Sequence, residues 1–227
     1  MMLKKIARTM AYIGSIITGF YLFTSAPGFH KREKWQHLTG WDYAHRGLHD
    51  NEHGIPENSM AAFQRAVDKG YGIELDVHLT ADNQLVVFHD DTLTRMCGIN
   101  KKISGFLYSY LQQLRLLGTG EGIPLFKDVL ALVDGKVPLI IELKVDGSNQ
   151  NLLCPLVWQL LSGYKGSYCI ESFHPFVLQW FKRHQPQVVR GQLSCNFFKE
   201  NPHCDIVLFL ISFHSVSFII KHFNRND

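Results

Sequence analysis

Between His45 and His89 the chain gathers ionisable residues at positions that read as strand ends: His45-Arg46-Gly47, Pro56-Glu57-Asn58-Ser59, Glu74-Leu75-Asp76 and His89-Asp90. Glu142-Leu143-Lys144 adds another carboxylate and cation. Glu74 and Asp76 lie two apart in a strand pattern, so their side chains share a face. Like charges on one buried face repel and are costly to desolvate, and a divalent cation relieves both. Ligation by oxygen alone suits Mg²⁺ or Ca²⁺ rather than zinc, with Glu142 as third ligand. Pairing of Glu74 and Asp76 with Arg or Lys on a solvated strand end is the competing explanation and, for these two alone, the commoner one. The same pattern recurring in Ile141-Glu142-Leu143-Lys144 turns the balance toward metal.

His45 and His89 each end a strand-like run. Imidazole, with an unperturbed pKa near 6.5, serves as acid and base near neutrality. Two of them flanking a phosphorus can activate a nucleophile and protonate a leaving oxygen. A lone strand-end histidine is more often structural; a pair flanked by Arg46 and Asp90 is harder to dismiss. Arg46 and Lys144 are the phosphate-clamp candidates, one a planar fork and the other a point charge. A salt bridge to Glu74 or Glu142 is the alternative, and both can hold in turn. Metal, acid/base pair and clamp together are the equipment for cleaving a phosphodiester. Glu57 and Asn58 read mainly as loop geometry and helix capping, Asn58 or Ser59 being able to cap the helix that follows, with Glu57 a candidate support behind the site. Phe173 in Glu171-Ser172-Phe173 either lines the pocket or packs in the core.

The elements that must position these groups alternate strand and helix, the pattern of a parallel α/β sheet. Strands are expected at Trp41–Ala44, Gly72–Leu79, Gln84–Phe88, Val137–Leu143, Ser167–Ser172 and Val188–Leu193. Helices are expected over Ser59–Lys69, within Gly105–Leu117, from Pro124 to near Gly135, and over Asn151–Leu161 and Pro175–His184.

The His-Arg-Gly, Pro-Glu-Asn-Ser, Gly72-to-Gly98 and Ile-Glu-Leu-Lys segments, with Ala62-Phe63, Ala66 and Gly70, resemble the glycerophosphodiester phosphodiesterases in content and order. The resemblance runs from about Trp41 to about Ser194. It implies a TIM-barrel fold, dependence on a divalent cation, and hydrolysis of glycerophosphodiesters to glycerol 3-phosphate and an alcohol. It also implies Glu74, Asp76 and Glu142 as metal ligands and His45 and His89 as the acid/base pair. A lysophospholipase D-like enzyme of the same fold, acting on lysophospholipids, is the alternative, and an inactive truncated fragment a further one.

Composition sets the remaining bounds. The chain has 227 residues, 46% of them hydrophobic, and a net charge of +3. That charge is too mild for a nucleic-acid partner, and Lys and Arg are scattered. Five cysteines, without a Cys-x-x-Cys pair, indicate neither zinc nor a disulfide framework, only packed thiols. Lys4, Lys5 and Arg8 precede an uncharged stretch, Thr9 to Phe29, long enough to span a bilayer core of roughly 30 Å as a helix. The expectation is a single-pass N-terminal membrane anchor with linker over 1–38, the side of the catalytic domain being open. The barrel domain follows over 39–200. From 201 to 227 an apolar tail without clean period replaces the alternation, so the barrel is expected to be incomplete, with about six of eight strands.

Overall fold

The computed structural model describes residues 12, 14, 15 and 35–193. Most of the expected anchor, Thr9 to Phe29, and the whole apolar tail lie outside the described residues. No described helix is long and apolar enough to cross a membrane.

The sheet comprises β1 (Tyr43–Ala44), β2 (Gly72–Leu79), β3 (Leu85–Val87), β4 (Leu139–Leu143), β5 (Tyr168–Ser172) and β6 (Val189–Gln192). Strands β1, β2, β4, β5 and β6 run parallel in that spatial order. Helices α1 (Met60–Lys69), α2 (Phe126–Val133), α3 (Gln150–Leu161) and α4 (Pro175–His184) connect successive parallel strands. Sequential parallel strands with helical crossovers accord with a TIM-barrel-like arrangement.

Five of the six expected strands lie on this parallel path. The third does not: β3 pairs antiparallel with β2, Val77 opposite Val87 and Leu79 opposite Leu85. The reason is the connection. A parallel return needs a crossover of a dozen or more residues, whereas β2 and β3 are joined by a tight turn in which Asn83 takes a left-handed φ of 60°.

Alternation along β2 sorts the sheet's two faces. Ile73, Leu75, Val77 and Leu79 join Leu139, Ile141, Leu143 and Ile170 in the main core, where Phe63 of α1, Val129 of α2, Val157 of α3 and Phe181 of α4 cover them. On the other face, Leu38, Tyr43, Ile140 and Cys169 make a small apolar plug. Beyond the plug, toward the carboxyl ends of the strands, this inner face turns acidic. Asp76 of β2, Glu142 of β4 and Glu171 of β5 stand in register, with Gly191 of β6 completing the row.

Helix α1 sets the loop beside this row. Ser59 is its N-cap: Oγ accepts from the Ala62 N–H at 3.2 Å and donates to the Pro56 carbonyl at 2.6 Å. Capping therefore belongs to Ser59 and not to Asn58. Between β3 and α2 the chain builds a second small core from Phe88, Leu93, Met96, Ile103, Leu111, Leu116 and Ile123. Its helical turns are Thr94–Cys97 and Tyr108–Leu111, and the first carries Arg95, which returns to the site.

Candidate active site

Glu74, Asp76 and Glu142 each offer an oxygen such that all three lie within 4.8 Å of one another, and all three are buried. Burial and the neighbouring charges of Asp76 and Glu142 push Glu74 well above the usual carboxylate range. Burial likewise raises Glu142, to about 7. Asp76 goes the other way: burial opposes its ionisation, but Lys144, His89 and Asn58 outweigh it. The trio thus holds one secure negative charge and two carboxyls that resist ionising.

Both clamp candidates touch the trio. Lys144 Nζ lies 3.0 Å from Asp76 Oδ1 and 2.8 Å from Glu142 Oε1. Arg46 takes a left-handed φ of 57°, which turns its backbone N–H onto Glu74 Oε2 at 2.9 Å. Its Nη1 donates to Glu57 Oε1 at 2.9 Å. The buried Nε makes no hydrogen bond and sits 3.8 Å from Asp76 Oδ2. Gly47 follows with φ 79°, and a Cβ there would meet the Ala62 Cβ at 2.9 Å, so only glycine lets this loop pass α1.

The histidines attend different members of the trio. His45 Nε2 is 3.8 Å from Glu74 Oε2. His89 Nδ1 lies 2.6 Å from Asp90 Oδ1, and Asp76 and Lys144 act on its ring electrostatically. Burial lowers the His89 pKa, and Lys144 and Arg46 add to this against the pull of Asp76 and Asp90. The β2–β3 hairpin aims it: the Phe88 N–H bonds to the Asp76 carbonyl at 2.9 Å, so the residue after Phe88 emerges over Asp76. His78 fixes the backbone there, its Nε2 3.3 Å from the His89 carbonyl.

All seven residues singled out from the sequence therefore converge, and four others join them. Asn58, also at positive φ (53°), donates from Nδ2 to Asp76 Oδ2 at 2.9 Å, while its buried Oδ1 has no partner. Glu57 takes the supporting place its loop suggested, accepting from Arg46 and from both ends of the Arg95 fork. Arg95 carried no recognisable local signal. Glu171 did: Ile73-Glu74 and Ile141-Glu142 recur as Ile170-Glu171. Burial, then the nearby Glu142, raises Glu171 to about 8. Its Oε1 would lie 2.8 Å from a Cβ at position 191, the space that Gly191 leaves. Phe173 is 40% exposed at the end of β5, which removes the core-packing reading.

Known proteins resemble this chain in sequence and fold. The glycerophosphoryl diester phosphodiesterase family model matches residues 45–197. Lysophospholipase D GDPD1 of Rattus norvegicus is 36% identical over 165 residues, covering 67% of this chain and 50% of that protein. A glycerophosphodiester phosphodiesterase of Caldanaerobacter subterraneus subsp. tengcongensis is 33% identical over 163 residues, 66% of this chain and 65% of that protein. The crystal structure of a glycerophosphodiester phosphodiesterase from Parabacteroides distasonis aligns with a TM-score of 0.59 at 32% identity, over 70% of this chain and 69% of that one. The chain spans about half the length of the rat relative. Because the matched stretch holds the carboxylate trio, both histidines and both cations, the chain belongs to the glycerophosphoryl diester phosphodiesterase family.

Proposed function

We propose that this chain hydrolyses glycerophosphodiesters to glycerol 3-phosphate and an alcohol, with a divalent cation and two histidines. The observation that carries the reading is the meeting of three buried carboxylates with His45, His89, Arg46 and Lys144 at the carboxyl ends of parallel strands, the end where barrel enzymes keep their chemistry. In this reading the parallel strands belong to a TIM-barrel-like domain over 39–200, and the uncharged N-terminal stretch holds it at a bilayer.

The donor set fits Mg²⁺ or Ca²⁺: three clustered carboxylates, and beside them the buried Asn58 Oδ1, an acceptor without a partner. Glu74, Asp76 and Glu142 would hold the ion, which supplies polarisation of a phosphoryl oxygen. The chain's own groups do the rest. Arg46 offers its unbonded Nε–H to a phosphate oxygen. Lys144 exchanges a carboxylate for a second oxygen as the charge about it is rearranged. Asp90 occupies His89 Nδ1, so Nε2 is the atom that moves a proton. One histidine takes a proton from an attacking water; the other gives one to the departing alkoxide as the phosphorus–oxygen bond to the alcohol breaks, leaving glycerol 3-phosphate.

Release of glycerol 3-phosphate from a water-soluble diester by the full chain should require Mg²⁺ or Ca²⁺ and stop with chelator. His45→Ala and His89→Ala should each lose roughly 10²–10⁴-fold in rate while binding the metal as before. Full turnover in chelator overturns the metal, and near-normal turnover of either variant removes that histidine. The likeness to the rat enzyme favours lysophospholipids as a second substrate class, decided by choline release from lysophosphatidylcholine micelles in parallel.

A further inference from the structure

Arg95 sits on the Thr94–Cys97 helical turn, away from the carboxylate trio, yet both edges of its guanidinium are used. One edge holds Asp90: Nε donates to Oδ2 at 2.8 Å and Nη2 to Oδ1 at 2.9 Å. The other holds Glu57: Nη1 donates to Oε2 at 2.9 Å and Nη2 to Oε1 at 2.7 Å. Each carboxylate then grips a group of the site. Asp90 Oδ1 meets His89 Nδ1 at 2.6 Å, and Glu57 Oε1 accepts from Arg46 Nη1 at 2.9 Å. The result is an unbroken line of alternating hydrogen-bond donors and acceptors, His89–Asp90–Arg95–Glu57–Arg46, drawn from two segments far apart in the chain.

We propose that Arg95 is a positioning residue that couples the proton-transfer histidine to the phosphate-holding arginine, so that the two are oriented as one body. The inference rests on the roles proposed above for His89 and Arg46. Three features of the geometry support it. The Asp90 carboxylate, pinned at both oxygens by Arg95, presents a fixed acceptor to His89 and so selects the tautomer with hydrogen on Nδ1. Glu57, pinned likewise, ties down Arg46 Nη1 and leaves Nε pointing at the site. Only a planar fork with donors on two edges can span both carboxylates; an ammonium is a single point and cannot. Arg95 thus bonds to Asp90 and Glu57 and not to the carboxylate trio, and acts through those two acidic partners.

The test is ¹⁵N NMR of the full-length chain labelled at histidine, without metal or substrate, on wild type, Arg95→Lys, Arg95→Met and Glu57→Gln. Wild type should show His89 with hydrogen held on Nδ1. Both Arg95 variants should show a mixture of tautomers, the lysine failing to restore the single form. Glu57→Gln contacts neither His89 nor Asp90, yet should broaden or shift the His89 signals. In turnover assays with glycerophosphodiester, the Arg95 variants should lose about 10²-fold in kcat, the scale of a small misplacement of reacting groups. Their KM should also rise, and their affinity for Mg²⁺ should stay as in wild type. A wild-type His89 spectrum in Arg95→Met overturns the proposal, as does full rescue by lysine. If the variant does not fold, unchanged His89 signals in Glu57→Gln overturn it equally. The NMR result needs no catalysis, so an inactive wild type whose Arg95 variants still show the tautomer mixture would reject the proposed function and leave the coupling standing.

Discussion

Two charged regions meet at this site and obey opposite rules. In the inner trio, like charges crowd on a sheet face from which water is excluded, and burial drives Glu74 and Glu142 upward in pKa. Along the rim, charges alternate, and each carboxylate stays ionised despite burial. Arg95 and Arg46 bring Glu57 below its ordinary value, and Arg95 with His89 holds Asp90 down at about 2. The inner region leaves Glu74 and Glu142 resisting ionisation, and in the proposed reading a bound cation would relieve that. The rim is satisfied by its own side chains and so is built to hold shape. Electrostatics that destabilise the bare protein and electrostatics that stabilise it are both functional, but for different ends.

The sharpest way to break this contrast is to neutralise one carboxylate in each region. Glu74→Gln should lower Mg²⁺ or Ca²⁺ affinity by roughly 100-fold, the upper end of effects known for residues that support metal sites. Isothermal titration measures that. The same variant should melt no lower than wild type in chelator, since burial already favours the uncharged carboxyl of Glu74 and an amide replaces it closely. A clear drop in the metal-free melting temperature would mean that Glu74 is part of the scaffold.

Glu57→Gln should do the reverse. Removing the acid leaves two guanidinium groups facing each other, and stability should fall by about 2 kcal/mol in urea titration, less than for a fully buried pair because Arg95 is partly solvated. Metal affinity should hardly move. Equal stability would show the rim chain to be ornamental.

A smaller effect is expected from acid. Asp90 is depressed in the folded chain, so the stability it contributes is complete above the ordinary carboxylate value near 4 and disappears as pH falls toward 2. Urea midpoints of wild type should decline across that window. In Arg95→Met, which lacks the cation responsible, the decline attributable to Asp90 should shrink. Parallel curves would assign the acid sensitivity elsewhere.

The inner trio was open to sequence reading because its signal is short-range. Two acids at spacing two share a strand face, and β2 runs from Gly72 to Leu79 as the pattern indicates. The rim was not legible. Its pairs join Glu57 to Arg95 and Arg46 to Glu57 across loops with no periodicity, where one arginine looks like another. The antiparallel sense of β3 was hidden differently: its residues fit either direction, and only the length of the Thr80–Gln84 turn decides. Of the two cap candidates, Asn58 and Ser59, spacing alone could not choose; Ser59 supplies the oxygen and Asn58 is turned inward on Asp76.

The β2–β3 hairpin bears on how the site comes into being during refolding. His89 stands thirteen positions after Asp76, whereas Glu142 stands sixty-six positions after it. Bringing Glu142 home costs about 1.4 kcal/mol more chain entropy than closing the hairpin, and it must also wait for α2 and the segment before it. A refolding chain therefore sets His89 over Asp76 early and acquires its third carboxylate late. The return of cation affinity after dilution from denaturant would then time the docking of β4 against β2, a step that amide protection of the hairpin should precede.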